Sequence, residues 1–233
     1  MSTPTVAIIT SITDGYDTLK AIKPQFGVNV EWVAVTDGSE TAEPDHGWRM
    51  IPIAEPGLMG LQPEMADRVH PNRLAKLAKC MPRVVTDAPY SIWLDASYRV
   101  TSPLFALEAI KCASPVAQFV HPWRNCVYEE ARASLALAKY HDEDTKIVAQ
   151  MEEYREIGHP VNWGLWATGV IVRKHDHDIN VMGQQWLSEI RRHSYQDQLS
   201  EAVVLRMYDV RPSPLPGDHL SNPWLKYEGS ARH

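Results

Sequence analysis

The sequence predicts an α/β protein built on a largely parallel central sheet flanked by helices. Apolar, strand-like runs alternate with amphipathic helical stretches along the 233 residues. Three of those runs end in polar loops, at Thr10 through Asp17, at Asp37, and at Asp95 through Ser97. If their strands are parallel, all three loops fall on one edge of the sheet, where ligands of open α/β sheets bind. No repeat, linker or low-complexity segment interrupts the pattern, so a single domain over 1–233 is expected.

The elements follow in order. "VAIIT" (6–10) is a strand, and "SITDGYD" is a loop turning at Asp14-Gly15. "EWVAVTD" (31–37) is a second strand running into Thr36-Asp37-Gly38. "RMIPI" (49–53) is a third, limited by Pro52 to an edge or a strand end. Residues 72–83 read as a helix capped by Asn72, because Leu74, Leu77, Ala78 and Met81 recur at i, i+3, i+4, i+7. "SIWLD" (91–95) is a strand, and Ser102-Pro103 open another helix. "VAQFVH" (116–121) is a strand. A helical region follows from about 127 to 157, broken near "HDED" (141–144) and stopped by Gly158. "ATGVIVR" (167–173) is a strand, and helices are expected over 179–193 and 195–209. The tail from about 210 to 233 is proline-rich and reads as irregular.

Composition narrows the class. The chain is 44% hydrophobic and 22% charged, as in ordinary globular proteins. No apolar run is long enough to span a membrane, and "MSTPTVAIIT" lacks the pattern of a signal peptide. A cytoplasmic protein is expected. The three cysteines, Cys80, Cys112 and Cys126, lack metal-knuckle spacing, which disfavours a disulfide framework or zinc cluster. The net charge of −6 gives no general attraction to nucleic acid or anionic membranes. The glycine fingerprints of dinucleotide sites and P-loops are missing, and so is the G-x-S-x-G of serine hydrolases.

Several clusters bear on chemistry. Asp95 suits a hard divalent cation bridging a diphosphate, or else an Asx-turn or helix cap. Arg73, Lys76 and Lys79 form a basic helix face that either meets phosphates or is simply solvated. In "HPWRNCVYEEA" (121–131), His121, Trp123 and Arg124 end a strand and Glu129 and Glu130 enter a helix. Adjacent helical residues diverge by about 100°, so the two glutamates cannot both face one ligand. "KHDHD" (174–178) reads as a polar turn rather than a metal site. Asp197 and Gln198 open a helix, with Ser194 or Asp197 as its N-cap. His219, in "GDHLSNPW", is a surface histidine or a metal ligand.

Taken in order, "TSITDGYDTLK", "VAVTDG", "HPNRLAKLAK", "YSIWLDAS", "HPWRNCVYEEA", "QMEEYREIGHP", "GVIVRKH" and "DQLS" resemble a glycosyltransferase family. This family of compact GT-A-like enzymes was first catalogued as a domain of unknown function, with plant pectin- and mucilage-related members and bacterial ones. The resemblance runs from about residue 5 to 205. It implies a GT-A-like single domain that takes a nucleotide-sugar donor, usually a UDP-sugar. The loop Thr10 to Asp17, including Tyr16, would surround the nucleotide, with Asp37 near the base. Arg73 and Lys76 would approach the diphosphate, with Ser97 and Gln198 also on the donor. Asp95 would hold the first place of a D-x-D motif for Mn²⁺ or Mg²⁺, with Ser97 replacing the second Asp. "HLSNPW" is similar to the "H…KPW" end of retaining GT-A enzymes and implies His219 as a second metal ligand.

The implied reaction moves a hexosyl or pentosyl group to an acceptor hydroxyl, with retention. The metal and basic residues would stabilise the departing diphosphate. Asp197 or Glu130 would orient the acceptor or steady an oxocarbenium-like transition state, with Arg124 and His121 beside them. The expected acceptor is a saccharide or small molecule, or a hydroxylated phage-type DNA base. A non-catalytic nucleotide-sugar-binding protein is the alternative, favoured by the missing second Asp. A nucleotidyltransferase is the other, disfavoured by "TSITDGYD", which has one glycine and no basic residue.

Overall fold

The computed structural model describes residues 3–53 and 70–229. Its centre is a seven-stranded sheet. The strands are β1 (Thr5–Ile12), β3 (Asn29–Thr36), β5 (Arg49–Pro52), β6 (Tyr90–Leu94), β8 (Val116–Val120), β9 (Trp166–Lys174) and β10 (Ser213–Pro214). Their spatial order is β10-β8-β9-β6-β1-β3-β5. The runs β6-β1-β3-β5 and β10-β8 are parallel, while β9 lies antiparallel to both β6 and β8. The expected mostly parallel sheet is therefore present, with one reversed strand inside it. β5 lies at the sheet edge, as Pro52 requires.

Helices cover both faces, so the central strands are apolar on both sides. Ala7, Ile9, Val33, Val35, Trp93 and Ile171 pack with α1 (Pro71–Cys80) and α5 (His177–Arg192). Val6, Ile8, Ile92, Leu94, Val170 and Val172 pack with α2 (Phe105–Cys112) on the other face. A third cluster joins α3 (Val127–Leu135), α4 (Asp144–Glu156) and α6 (Asp197–Met207) through Tyr128, Ile147, Tyr154, Leu199 and Val203. The predicted break between α3 and α4 is a 3-10 turn, Ala138–Glu143. Gly158 ends α4 with φ +71°, the left-handed conformation expected of it.

Four local expectations need correction. β1 runs on to Ile12, so Thr10 is a buried strand residue rather than part of the loop. The side chain that caps α1 is His70, whose Nδ1 accepts from the Asn72 amide at 3.2 Å. Leu104 occupies the N-cap of α2, and Ser102 Oγ accepts from the Leu104 amide one turn earlier. Gln196 takes the N-cap position of α6, without a side-chain cap bond, so neither Ser194 nor Asp197 caps it. The tail is more ordered than its prolines suggest, up to residue 229 where description stops. It adds β10 to the main sheet, and β11 (Leu225–Tyr227) pairs antiparallel with β7 (Tyr98–Val100). Two short strands, β2 (Thr18–Leu19) and β4 (Thr41–Ala42), tie down the loops after β1 and β3.

Candidate active site

β1, β3 and β6 are parallel, so the loops after Ile12, Thr36 and Leu94 share one sheet edge. A cleft of about 550 Å³ opens there. Tyr16, Asp17, Lys76, Asp95, Ser97, His121, Glu130, Asp197, Gln198 and His219 all line it.

Asp95 follows β6 directly. Its amide donates to the Gly169 carbonyl at 2.8 Å, which fixes the backbone. Its Oδ1 accepts from the Trp93 indole at 2.6 Å and lies 3.4 Å from the Lys79 ammonium. Asp95 is thus no helix cap. Across the cleft, Asp197 starts α6 and is 4% exposed. Its Oδ2 lies 2.5 Å from Lys79 Nζ and 3.2 Å from Lys76 Nζ. Burial alone would raise the Asp197 carboxyl, but Lys76 and Lys79 outweigh it and hold the group well below the usual carboxylate range. Lys79 is only 1% exposed. Burial would strip its proton, yet Asp197 and Asp95 more than offset that and keep it charged. One buried cation therefore joins the two strand- and helix-end carboxylates. The basic helix face is not solvated at this position.

A β-bulge completes this centre. The register of β8 on β9 shifts between Gln118 and Phe119, leaving Thr168, Gly169 and Val170 without partners on β8. Thr168 Oγ1 approaches Asp197 Oδ1 at 3.4 Å. A side chain on Gly169 would place Cβ 3.2 Å from Asp95 Oδ2 and 2.9 Å from the Tyr98 ring. Glycine is what lets β9 pass this close. An isolated glycine within a strand pattern is the sequence signal for such a bulge.

The 121–130 cluster is self-contained. His121 Nδ1 accepts from the Arg124 amide at 3.0 Å and the Trp123 amide at 3.3 Å, which puts its proton on Nε2. Burial, then Arg124 and His219, pull His121 down to about 4. Glu130 is gripped by Arg124 at 2.5 Å, with His121 Nε2 at 3.6 Å. Arg124 itself stands behind Glu130, outside the cleft lining.

Two further predicted donor residues stand elsewhere. Arg73 does not reach the cleft; it pairs with Glu143 at 2.9 Å and donates to the carbonyls of Ile190 and His193. Its guanidinium joins α1 to the end of α5. Asp37 is exposed and accepts from the Asp14 amide at 2.8 Å and from Ser39, so it braces the loop after β1. Asp17 accepts from Lys20 at 3.1 Å and the Thr18 amide at 2.7 Å.

The donors available to a divalent cation are Asp95 Oδ2, the Ser97 hydroxyl and His219. The His219 ring is close to His121 (6.2 Å between centroids) and Trp123 (5.8 Å), and its buried Nδ1 has no hydrogen-bond partner among the described residues. Gly217 allows the loop to reach this point, at φ +81°, where a Cβ would meet the Ser221 carbonyl at 2.3 Å. Among the described residues no three His, Cys, Asp or Glu side chains form a metal-holding group. The set suits a cation whose remaining ligands are substrate phosphate oxygens, not a protein-only cage.

Fold and cleft define a class, a glycosyltransferase-like domain of GT-A fold. The chain belongs to the TOD1/MUCI70 glycosyltransferase-like domain family, whose model matches residues 65–214. The bifunctional glycosyltransferase WbbM, in its apo structure, shares the fold at TM-score 0.52 and 10% identity, over 93% of this chain. This chain spans 39% of the length of WbbM. The galactosyltransferase LgtC, solved with donor and acceptor sugar analogues, aligns at TM-score 0.44 and 14% identity, over 85% of this chain and 70% of LgtC. Mouse xyloside xylosyltransferase 1 aligns at 0.38 and 9%, over 90% and 77%. No curated protein matches the chain. The family leaves the nucleotidyltransferase alternative without support. A hydroxylated DNA base as acceptor is unsupported too. The cleft is lined by four acids (Asp17, Asp95, Glu130, Asp197) and three lysines (Lys76, Lys79, Lys139), not by the cationic track that a DNA backbone needs. No helix among the described residues is long and apolar enough to cross a membrane.

Proposed function

We propose that this chain is a single-domain glycosyltransferase that moves a hexosyl or pentosyl group from a UDP-sugar to a hydroxyl of a saccharide or small-molecule acceptor. The observation that carries the reading is the placement of Asp95 and Asp197 on either side of Lys79, in a cleft at the carboxyl ends of β1, β3 and β6. The loop after β1, braced by Asp37, receives the nucleoside, with Tyr16 at the cleft wall. Gln198 Nε2, which has no hydrogen-bond partner among the described residues and belongs to a residue lining the cleft, donates to the sugar or phosphate.

Asp197 stays ionised at every working pH because two lysines hold it so. It faces the anomeric carbon and steadies positive charge there as the bond to the diphosphate breaks, the electron pair leaving on the phosphate oxygen. The acceptor oxygen bonds to that carbon and passes its proton to the departing diphosphate oxygen. Glu130 is held by Arg124 and shapes the acceptor side. Asp95 and His219 would hold Mn²⁺ or Mg²⁺, with Ser97 beside them, and the ion would offset charge on the leaving diphosphate. Retention is the outcome favoured, with Asp197 as the carboxylate at the reacting carbon. The free thiols Cys80, Cys112 and Cys126 suit a reducing, cytoplasmic setting.

The test is UDP release from a panel of UDP-sugars with saccharide acceptors and Mn²⁺. The expected result is turnover with at least one donor, reduced about a hundred-fold or more in Asp197→Asn and Asp95→Asn. Tight UDP binding with no release across the panel would replace this reading with the second one, a non-catalytic nucleotide-sugar-binding protein. The single carboxylate at Asp95-Ala96-Ser97 is what favours that second reading.

A further inference from the structure

Among the described residues, one lysine of the cleft has no carboxylate in ion-pair contact. Of its lysines, Lys76 and Lys79 are both committed to Asp197. Lys20 is held by Asp17 at 3.1 Å and Arg124 by Glu130 at 2.5 Å. Lys139 is different. Among the described residues its ammonium has no ion pair and no hydrogen bond, and it stands 5.0 Å from the centroid of the Tyr140 ring.

The backbone that carries Lys139 is fixed. It lies on the 3-10 turn Ala138–Glu143 between α3 and α4. Tyr195 Oη lies 3.0 Å from the Lys139 carbonyl and 2.7 Å from Asp142 Oδ1, and His70 reaches Asp142 at 3.6 Å. The turn is thus pinned to the segment that precedes α6, and Lys139 and Tyr140 join the cleft wall. Lys139 is exposed at the cleft wall. Partial desolvation there, and then Lys76, push its pKa below the ordinary value, while Asp95, Asp197 and Glu130 act to raise it. An arriving phosphate meets this charge without having to displace a protein partner.

We propose that Lys139 binds the donor's diphosphate, closing over it from the side opposite Asp95. The proposal rests on the nucleotide-sugar reading above and adds the group that recognises the phosphates. The α3–α4 turn then acts as the phosphate-binding element of this chain, a task that glycine-rich loops perform in other α/β folds. A site with one strand-end carboxylate holds a cation weakly. An ammonium carried on a pinned turn supplies positive charge to the phosphates whether or not an ion is bound.

Calorimetric titration of the whole protein with UDP in EDTA tests this, with uridine as the phosphate-free probe. Lys139→Gln is expected to weaken UDP about ten-fold or more, as for loss of a charge-assisted hydrogen bond, and to leave uridine unchanged. Lys139→Arg keeps most of the UDP affinity, and added NaCl weakens UDP in the wild type more than in Lys139→Gln. UDP affinity in Lys139→Gln within about two-fold of wild type would overturn the proposal and leave the glycosyltransferase reading standing. A wild-type protein that binds neither UDP nor uridine would sink both.

Discussion

Replacing Lys79 with methionine tests the centre of the site most directly. The substitution keeps the length and apolar stem of the side chain but removes a buried charge 2.5 Å from Asp197 and 3.4 Å from Asp95. Removing one partner of a buried ion pair costs roughly 3–5 kcal/mol, because the other charge is left stranded. Asp197 keeps Lys76 at 3.2 Å, so the loss falls at the low end, about 3 kcal/mol. For a domain of this size that lowers Tm by about 6–12 °C. The pH dependence has a fixed sign. The Asp197 carboxyl is depressed in the folded state, so its stabilisation is present above the unfolded value and is lost as pH falls through the folded one. Without Lys79 that carboxyl titrates higher, and acid unfolding begins at a higher pH. Thermal and acid melts followed by circular dichroism measure both effects. Adding Asp197→Leu to Lys79→Met recovers much of the stability, since Lys76 is free to turn to solvent. A loss below about 1 kcal/mol for Lys79→Met, the size of a surface pair, would refute the account.

Three further outcomes are expected. Trp93→Phe removes the indole donor at 2.6 Å from Asp95; assayed by UDP release, it lowers kcat about ten-fold, as for a hydrogen bond to a charged group, and, because Trp93 packs in the core, it also lowers Tm. His159 is 4% exposed, and burial, followed by Arg206, pulls it down to about 4 from 6.5. Its contribution is present above about 6.5 and lost as pH falls through about 4, so His159→Phe shows a smaller drop in Tm between those pH values than wild type. Equal drops would refute that linkage. A Cβ on Gly183 would stand 2.2 Å from the Cys80 carbonyl, so Gly183→Ala destabilises by about 1–3 kcal/mol although alanine favours helix. Denaturant titration reads this, and an unchanged or higher midpoint would show that α1 and α5 shift apart freely.

The strands were legible because Val, Ile and Trp runs on a doubly covered sheet leave little choice of structure. Pro52 marked the sheet edge, and Gly158 marked a helix end. The three carboxylate-bearing loops converged because β1, β3 and β6 are parallel, which the alternation of elements already implied. Other features depend on partners far away in sequence. Lys79 read as one of three similar cations on α1, and only the packing of α6 beside it separates it from Arg73, which turned to the end of α5. Asp197 looked like a helix cap because capping is the local option, and two lysines outcompete it. Lys139 sits in a turn whose composition says nothing of the cleft above it. The family match begins at residue 65, later than the resemblance from residue 5 suggested. Short apolar strands such as β1 and β3 are common to many α/β proteins and identify none.

The pairing of β11 with β7 also sets an order of assembly. Tyr227 sits opposite Tyr98, and the Glu228 amide donates to the Ser97 carbonyl at 2.8 Å. Closing so long a chain segment is entropically slow compared with forming the neighbouring strands and helices. A chain with its sheet complete but its tail unpaired would present Asp95 without His219 and with Trp224 lifted off Phe105. Such a species would pass for native by secondary structure while its site stood open. Recovery of activity on refolding is therefore expected to trail recovery of the fold, and the lag measures the docking of the tail.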